Sequence, residues 1–297
     1  MGKRKCVFCA RNFSSSSKRA KEHIYPSWLL SELDIKGTSI YTTHFRPFDK
    51  AQRAFFKPKR GDLRIKQISQ RKHVFAGLVY GLVCEKCNNG FLNDIEKEAK
   101  PILLKMIKDR RVVLREEEQK VISKWGFKTA IILNISSNFE GYFSEETFHN
   151  FYITKQPEKN MLISIAKLSK DAKKGDYWIQ ARNFIFEFPE LSDFYINTIT
   201  DKFTGISKGL EIVPKQAKIA QDMGNNSFSI VLNIGGILIK VFYIFVGGYP
   251  VNLYEHKPGE SKIWPLDNSV DINWPLEDCF KNLIDFQTNI RVRVLSN

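Results

Sequence analysis

Cysteine is scarce in this chain, five in 297 residues. That excludes a small scaffold stapled by many disulfides. No apolar run is clean enough to cross a bilayer either. The longest, Phe228 to Val246, is interrupted by Asn233, Gly235, Gly236 and Lys240. Within it Phe228, Ile230, Leu232 and Ile234 alternate with Ser227, Ser229, Val231 and Asn233. A period of two broken by Gly-Gly predicts a β-hairpin, and with it no membrane partner. The opening Met1-Gly2-Lys3-Arg4-Lys5 carries charge where a secretory leader has an apolar core. The expected location is therefore the cytoplasm, whose reducing conditions favour thiolates on metal over disulfides. Acidic side chains are in deficit, 32 Asp and Glu against 46 Lys and Arg, a formal net charge of +14. Such a surplus points to a polyanionic partner, nucleic acid first, or else to a merely basic soluble protein.

What is present begins with apolar content of 43%, enough to fill one large core or two modest ones. Four of the five cysteines fall in two pairs, Cys6-Val7-Phe8-Cys9 and Cys84-Glu85-Lys86-Cys87. Two CxxC knuckles are the spacing at which thiolates close a tetrahedral zinc site. Glu22-His23-Ile24-Tyr25-Pro26 lies between the pairs, and Asn88-Asn89-Gly90 follows the second.

In this order those segments resemble the core of the HNH, or ββα-metal, nuclease family, over roughly the first third of the chain. The resemblance implies an endonuclease that hydrolyses phosphodiester bonds, with His23 as the base that activates water. It also implies one divalent cation, Mg²⁺ or Mn²⁺, held by Glu22 and Asn88 and stabilising the phosphate. Asn89 is the alternative to Asn88, because the doubled asparagine leaves the register open. Cys6, Cys9, Cys84 and Cys87 would then hold a closed structural zinc with no open position for catalysis. DNA is expected ahead of RNA, in a setting such as restriction or defence against phage. Three departures stand out. Glu22 occupies a position where aspartate or histidine is more usual, the segment joining the half-motifs is long, and no asparagine lies between His73 and Cys84 to orient the base. A backbone carbonyl can take that last role.

Along the chain, Ser14 to Ser17 reads as a connector, and Pro26 opens a helix with Trp28, Leu29, Leu30 and Leu33 on its apolar face. From Lys36 to Lys72 the chain is strongly basic, with Phe45, Phe48, Phe55 and Phe56 interleaved and only Asp49 and Asp62 opposing. Arg53, Lys57, Lys59, Arg60 and Arg64 are the candidate phosphate contacts, with a solvated loop as the competing reading. Val79 to Val83 reads as a strand feeding the second knuckle. After Cys87 a helix follows through Phe91, Leu92, Ile95 and Ala99, expected to break at Pro101. Another helix runs from Glu116 to about Leu133, with Val121, Ile122, Trp125, Thr129, Ile132 and Leu133 on its face and Lys124 and Lys128 off it.

Short strands come next, at Met161 to Ala166 and Tyr177 to Phe188, then the Gly235-Gly236 hairpin. Trp264-Pro265 and Trp274-Pro275 read as packing anchors, and a final helix places Cys279 in the core. His73 is a minor candidate ligand, His44 a lesser one, and His149 and His256 read as ordinary residues. The fold class is α+β: an HNH-like zinc-binding domain with a basic insert over 1–109, a helical connector over 110–138 and a mixed α+β domain with antiparallel strands over 139–297. That last part carries no recognisable chemistry and is available for a homo-oligomer or a partner protein. The rival to the nuclease is a non-catalytic zinc finger that binds nucleic acid. A third reading has the basic face meet an acidic protein.

Overall fold

Alternation in the apolar stretch is realised as a hairpin. Strand β10 (Phe228–Ile234) pairs antiparallel with β11 (Ile237–Tyr243) through the Gly235-Gly236 turn. Both glycines have positive φ, 60° and 92°, the requirement of the tight turn that matches strand twist. The structure is a computed structural model. It describes residues 5–15, 17–47, 65–136, 143–172, 178–182, 185–187, 195–197, 228–243, 251–252, 258–266, 270–277, 279–281, 283, 286 and 293–294.

The chain is an α+β protein whose strands, in order, are β1 (Arg19–His23), β2 (Ser39–Pro47), β3 (Ile65–Val74), β4 (Val79–Cys84), β5 (Val112–Leu114), β6 (Met161–Leu168), β7 (Trp178–Arg182), β8 (Ile185–Glu187) and β9 (Tyr195–Asn197). After β10 and β11 come β12 (Val251–Asn252), β13 (Glu260–Trp264), β14 (Ile272–Trp274), β15 (Cys279–Phe280) and β16 (Arg293–Val294). The helices are α1 (Ser27–Glu32), α2 (Asn93–Ile107), α3 (Glu116–Ser136) and α4 (Glu145–Thr154). By compactness, Met1–Ile24 joins Tyr80–Asn297 in one unit, and Tyr25–Val79 forms a second.

In the second unit, Pro26 precedes α1 in extended conformation, and Leu29 and Leu30 are the buried face. Tyr25 meets Phe75 edge-on, with ring centroids 5.7 Å apart. The basic stretch contains two long strands, β2 and β3, paired antiparallel from Ser39 opposite Val74 to Pro47 opposite Ile65. A register shift between His44 and Phe45 marks a bulge. Arg53, Lys57, Lys59, Arg60 and Arg64 lie outside the described residues, as does His256.

In the first unit the main sheet runs β13-β6-β11-β10-β7, with β15 parallel to β6. One face carries Ile163, Ile165, Ile230, Leu232, Ile239 and Val241, all buried. Helix α3 lies on it at Gly126, where an added Cβ would stand 2.9 Å from Ile239 Cγ2. Glycine inside a helix costs about 1 kcal/mol relative to alanine. Here it permits the close approach. The other face carries Ala166, Val231 and Leu238 against Leu283 and Phe286. Both tryptophans of the Trp-Pro pairs anchor as expected: Trp264 Nε1 donates to Glu158 O at 2.9 Å and Trp274 Nε1 to Met106 O at 3.0 Å.

Three expectations are corrected. Helix α2 runs through Pro101 without breaking. Pro101 and Lys97, the residue four earlier, are both exposed, so water can serve the carbonyl that proline leaves unpaired. The final apolar stripe does not form one helix: Cys279–Phe280 pairs with β6, and strand alternation turns Cys279 outward, exposed. Lys128 is fully buried rather than off the core face. Among the described residues, no helix is long and apolar enough to cross a membrane.

Candidate functional site

The first knuckle is a tight turn in which Ala10 N–H bonds Cys6 O at 3.0 Å and Cys6 N–H bonds Arg11 O at 2.9 Å. Ala10 takes φ of 56° to close it. The second knuckle follows β4, which pairs with β1, and Val7 N–H reaches Leu82 O at 3.0 Å. These bonds bring together segments that are remote in sequence. The sulfurs of Cys6, Cys9, Cys84 and Cys87 all lie within 4.8 Å of one another, and Cys9 and Cys84 are 3.7 Å apart. Tetrahedral zinc with bonds of about 2.3 Å needs sulfurs about 3.8 Å apart, so the set can hold a metal such as zinc. Cys84 N–H points at Cys6 Sγ at 3.4 Å, a contact that favours thiolate. A hydrogen bond from Cys87 also holds Cys6 well below the ordinary thiol value, at about 4, and the same contact pushes Cys87 up. Burial raises Cys9.

Aromatic rings close one side. Phe8 meets Phe91, Phe148 and Phe151 at 5.3, 6.4 and 6.5 Å, so α4 packs over the knuckle. His149, read from sequence as ordinary, contacts Phe8 O through Nδ1 at 3.2 Å. Lys155 stands over the rings of Phe91 and Tyr152.

Past Cys87 the backbone widens into a π turn over Asn88–Leu92 before α2 begins, and Gly90 leaves helical geometry there with ψ of −116°. Strand β1 lies against this turn. Two buried polar atoms in this region have no hydrogen-bond partner, His23 Nδ1 on β1 and Asn88 Oδ1 on the turn. Leaving a buried polar atom unpaired costs about 1–3 kcal/mol. Asn89 is different: it is exposed, and its Oδ1 accepts from Asn88 Nδ2 at 3.1 Å. Of the two asparagines, Asn88 is the one with an unclaimed carbonyl oxygen.

Glu22 is buried and committed. Its Oε1 is 2.5 Å from Lys128 Nζ, which is also 2.7 Å from Glu96 Oε1. Trp125 Nε1 donates to Glu96 Oε2 at 2.9 Å. Burial pushes the Lys128 ammonium down, but Glu96 and Glu22 outweigh it and the net direction is up. Glu96, Trp125 and Lys128 were not singled out as site residues. The signal was present in Lys128 itself, a lone charge inside Trp125-Gly126-Phe127-Lys128-Thr129-Ala130-Ile131-Ile132-Leu133. A charge on such a segment needs a buried partner.

His73 lies half-buried on β3 opposite Ile40, and His44 is on β2 opposite Ser69, both in the second unit. No family model, curated protein or solved structure matches this chain.

Proposed function

We propose that this protein is a metal-dependent endonuclease of the HNH type that hydrolyses phosphodiester bonds in DNA, acting in the cytoplasm in restriction or phage defence. The observation that carries the reading is the pair of unpartnered buried atoms, His23 Nδ1 and Asn88 Oδ1, on a strand and a turn that pack together beside the four-cysteine cluster. Unsatisfied buried polar groups are costly and persist where a substrate, water or ion completes them. In this reading His23 accepts a proton from water, Asn88 offers its carbonyl oxygen to Mg²⁺ or Mn²⁺, and a zinc held by the four cysteines keeps strand and turn in register. The divalent cation, when bound, supplies positive charge to the phosphate. Glu22 fits that cation less well than the resemblance implies, because Lys128 already neutralises its carboxylate.

The same ion pair favours a second reading, a zinc finger that binds nucleic acid without cutting it. Cleavage and binding measured in parallel separate the two, using plasmid, linear DNA and RNA under Mg²⁺ and Mn²⁺ titration. The nuclease reading expects metal-dependent cleavage by the parent and its loss in His23→Ala with binding kept. Equal cleavage by the variant overturns the assignment at His23. Binding without cleavage by either protein establishes the second reading.

A further inference from the structure

We propose that Lys128 is a positioning residue for His23, acting through Glu22 and Glu96; this rests on the nuclease reading above. Three elements meet at its ammonium: β1 through Glu22, α2 through Glu96 and α3, on which Lys128 itself sits. Each element bears on the site. Successive side chains of a strand point to opposite faces, so anchoring Glu22 among the helices determines which way its neighbour His23 looks. Glu96 stands one turn into α2, directly after the π turn that carries Asn88. Fixing α2 against β1 therefore fixes Asn88 against His23. Trp125 Nε1 holds the second oxygen of Glu96, which removes the rotational freedom of that carboxylate. His23 Nδ1 itself has no hydrogen-bond partner among the described residues.

The arrangement explains a polar cluster that hydrophobic packing alone would not need. A buried ion pair replaced by apolar side chains of similar volume is often no less stable. What the charged version supplies is one geometry: a single ammonium satisfied only when strand and helix carboxylates converge on it. Displacement of a reacting group by about 1 Å costs on the order of 100-fold in rate.

The test compares the full-length parent with Lys128→Arg, Lys128→Met and Glu96→Gln, with Lys240→Met as a control in a separate buried pair on the other face of the sheet. Steady-state cleavage of linear DNA and amide hydrogen exchange along β1 are the readouts. Expected for Lys128→Met is a fall in kcat of about 10- to 100-fold with KM within about twofold, and faster exchange at Glu22 and His23. Lys128→Arg restores part of both, and Glu96→Gln gives a smaller change in the same direction. If Lys128→Met fails to fold, Lys128→Arg and Glu96→Gln carry the test alone. Parent kcat and parent exchange in folded Lys128 and Glu96 variants overturn the proposal. A parent that cuts nothing overturns the nuclease reading, whereas unchanged exchange on β1 overturns this one whatever the cleavage result.

Discussion

Among the described residues, two lysines in the first unit are fully buried, and they are buried differently. Lys240 on β11 meets Glu260 at 2.7 Å, donates to Phe286 O at 3.1 Å and lies over the Phe286 ring. Ser164 completes that cluster with a short hydrogen bond to the same carboxylate oxygen. Lys240, Ser164 and Glu260 sit on three neighbouring strands of one sheet, β11, β6 and β13, with Ser164 directly opposite Lys240. Lys128 joins a strand and two helices, and the unpartnered atoms of His23 and Asn88 lie nearby. Apolar residues surround both clusters. The difference is in what they join: Lys240, Ser164 and Glu260 belong to one sheet, whereas Lys128 ties together the strand that carries His23 and the helix that follows Asn88. A cluster within one sheet is read as architecture, and one that joins the elements carrying His23 and Asn88 as support for the proposed site.

Chelating a metal held by Cys6, Cys9, Cys84 and Cys87 is expected to separate the two clusters most sharply. Thiolates on zinc contribute on the order of 10 kcal/mol or more to folding, so chelation is expected to unfold the part of the chain tied together by Cys6, Cys9, Cys84 and Cys87. Metal content and circular dichroism after chelation check it; a fold unchanged at well under one zinc per chain removes zinc from the account. The Lys240 sheet, which contains none of the four cysteines, is expected to lose structure later than β1 and β4.

His23→Ala comes next in size, a loss of about 10²- to 10⁴-fold in kcat without loss of fold. Asn88→Ala is expected to lower activity and raise the Mg²⁺ requirement, and Asn89→Ala to do neither, because only Asn88 has a free carbonyl oxygen. Metal titrations of the two variants decide between them.

Breaking either buried pair from one side is expected to cost about 3–5 kcal/mol, since it strands a charge. Urea unfolding of Lys128→Met and Lys240→Met measures this. The comparison stands if both lose stability but only the first loses activity per folded molecule. It collapses if both lose activity alike.

The smallest effects are those of salt and pH. If Arg53, Lys57, Lys59, Arg60 and Arg64 touch phosphate, each neutralisation is expected to flatten the slope of log K against log salt by roughly 0.9 on duplex DNA. An unchanged slope assigns them to solvent. Because its neighbours raise Lys128 above the usual lysine value of about 10.4, its stabilisation is fully present below that pH. It is lost only as pH rises through the elevated folded value. Parent unfolding curves are expected to show no pH dependence arising from Lys128 between about pH 6 and pH 9, and an erosion only in more alkaline buffer.

The four-cysteine part of the candidate site was legible in the residues because its spacing is local. Paired cysteines, a histidine next to an acid and an asparagine after the last thiol are short-range patterns, and the four sulfurs do converge. Period-two alternation and Gly-Gly likewise determined the β10–β11 hairpin, since a strand with one register and one turn type has few alternatives. The sequence also determined α3, although it placed Lys128 off the core face: helical periodicity shows which side an element presents, not how many neighbours will cover it. Only tertiary structure could bury that lysine, because its two carboxylates come from β1 and α2, 106 and 32 residues away along the chain. Tertiary structure also turned Cys279 outward by pairing its segment with β6. At Lys128 and at Cys279 a contact between distant segments overrode a local preference worth a few kcal/mol at most.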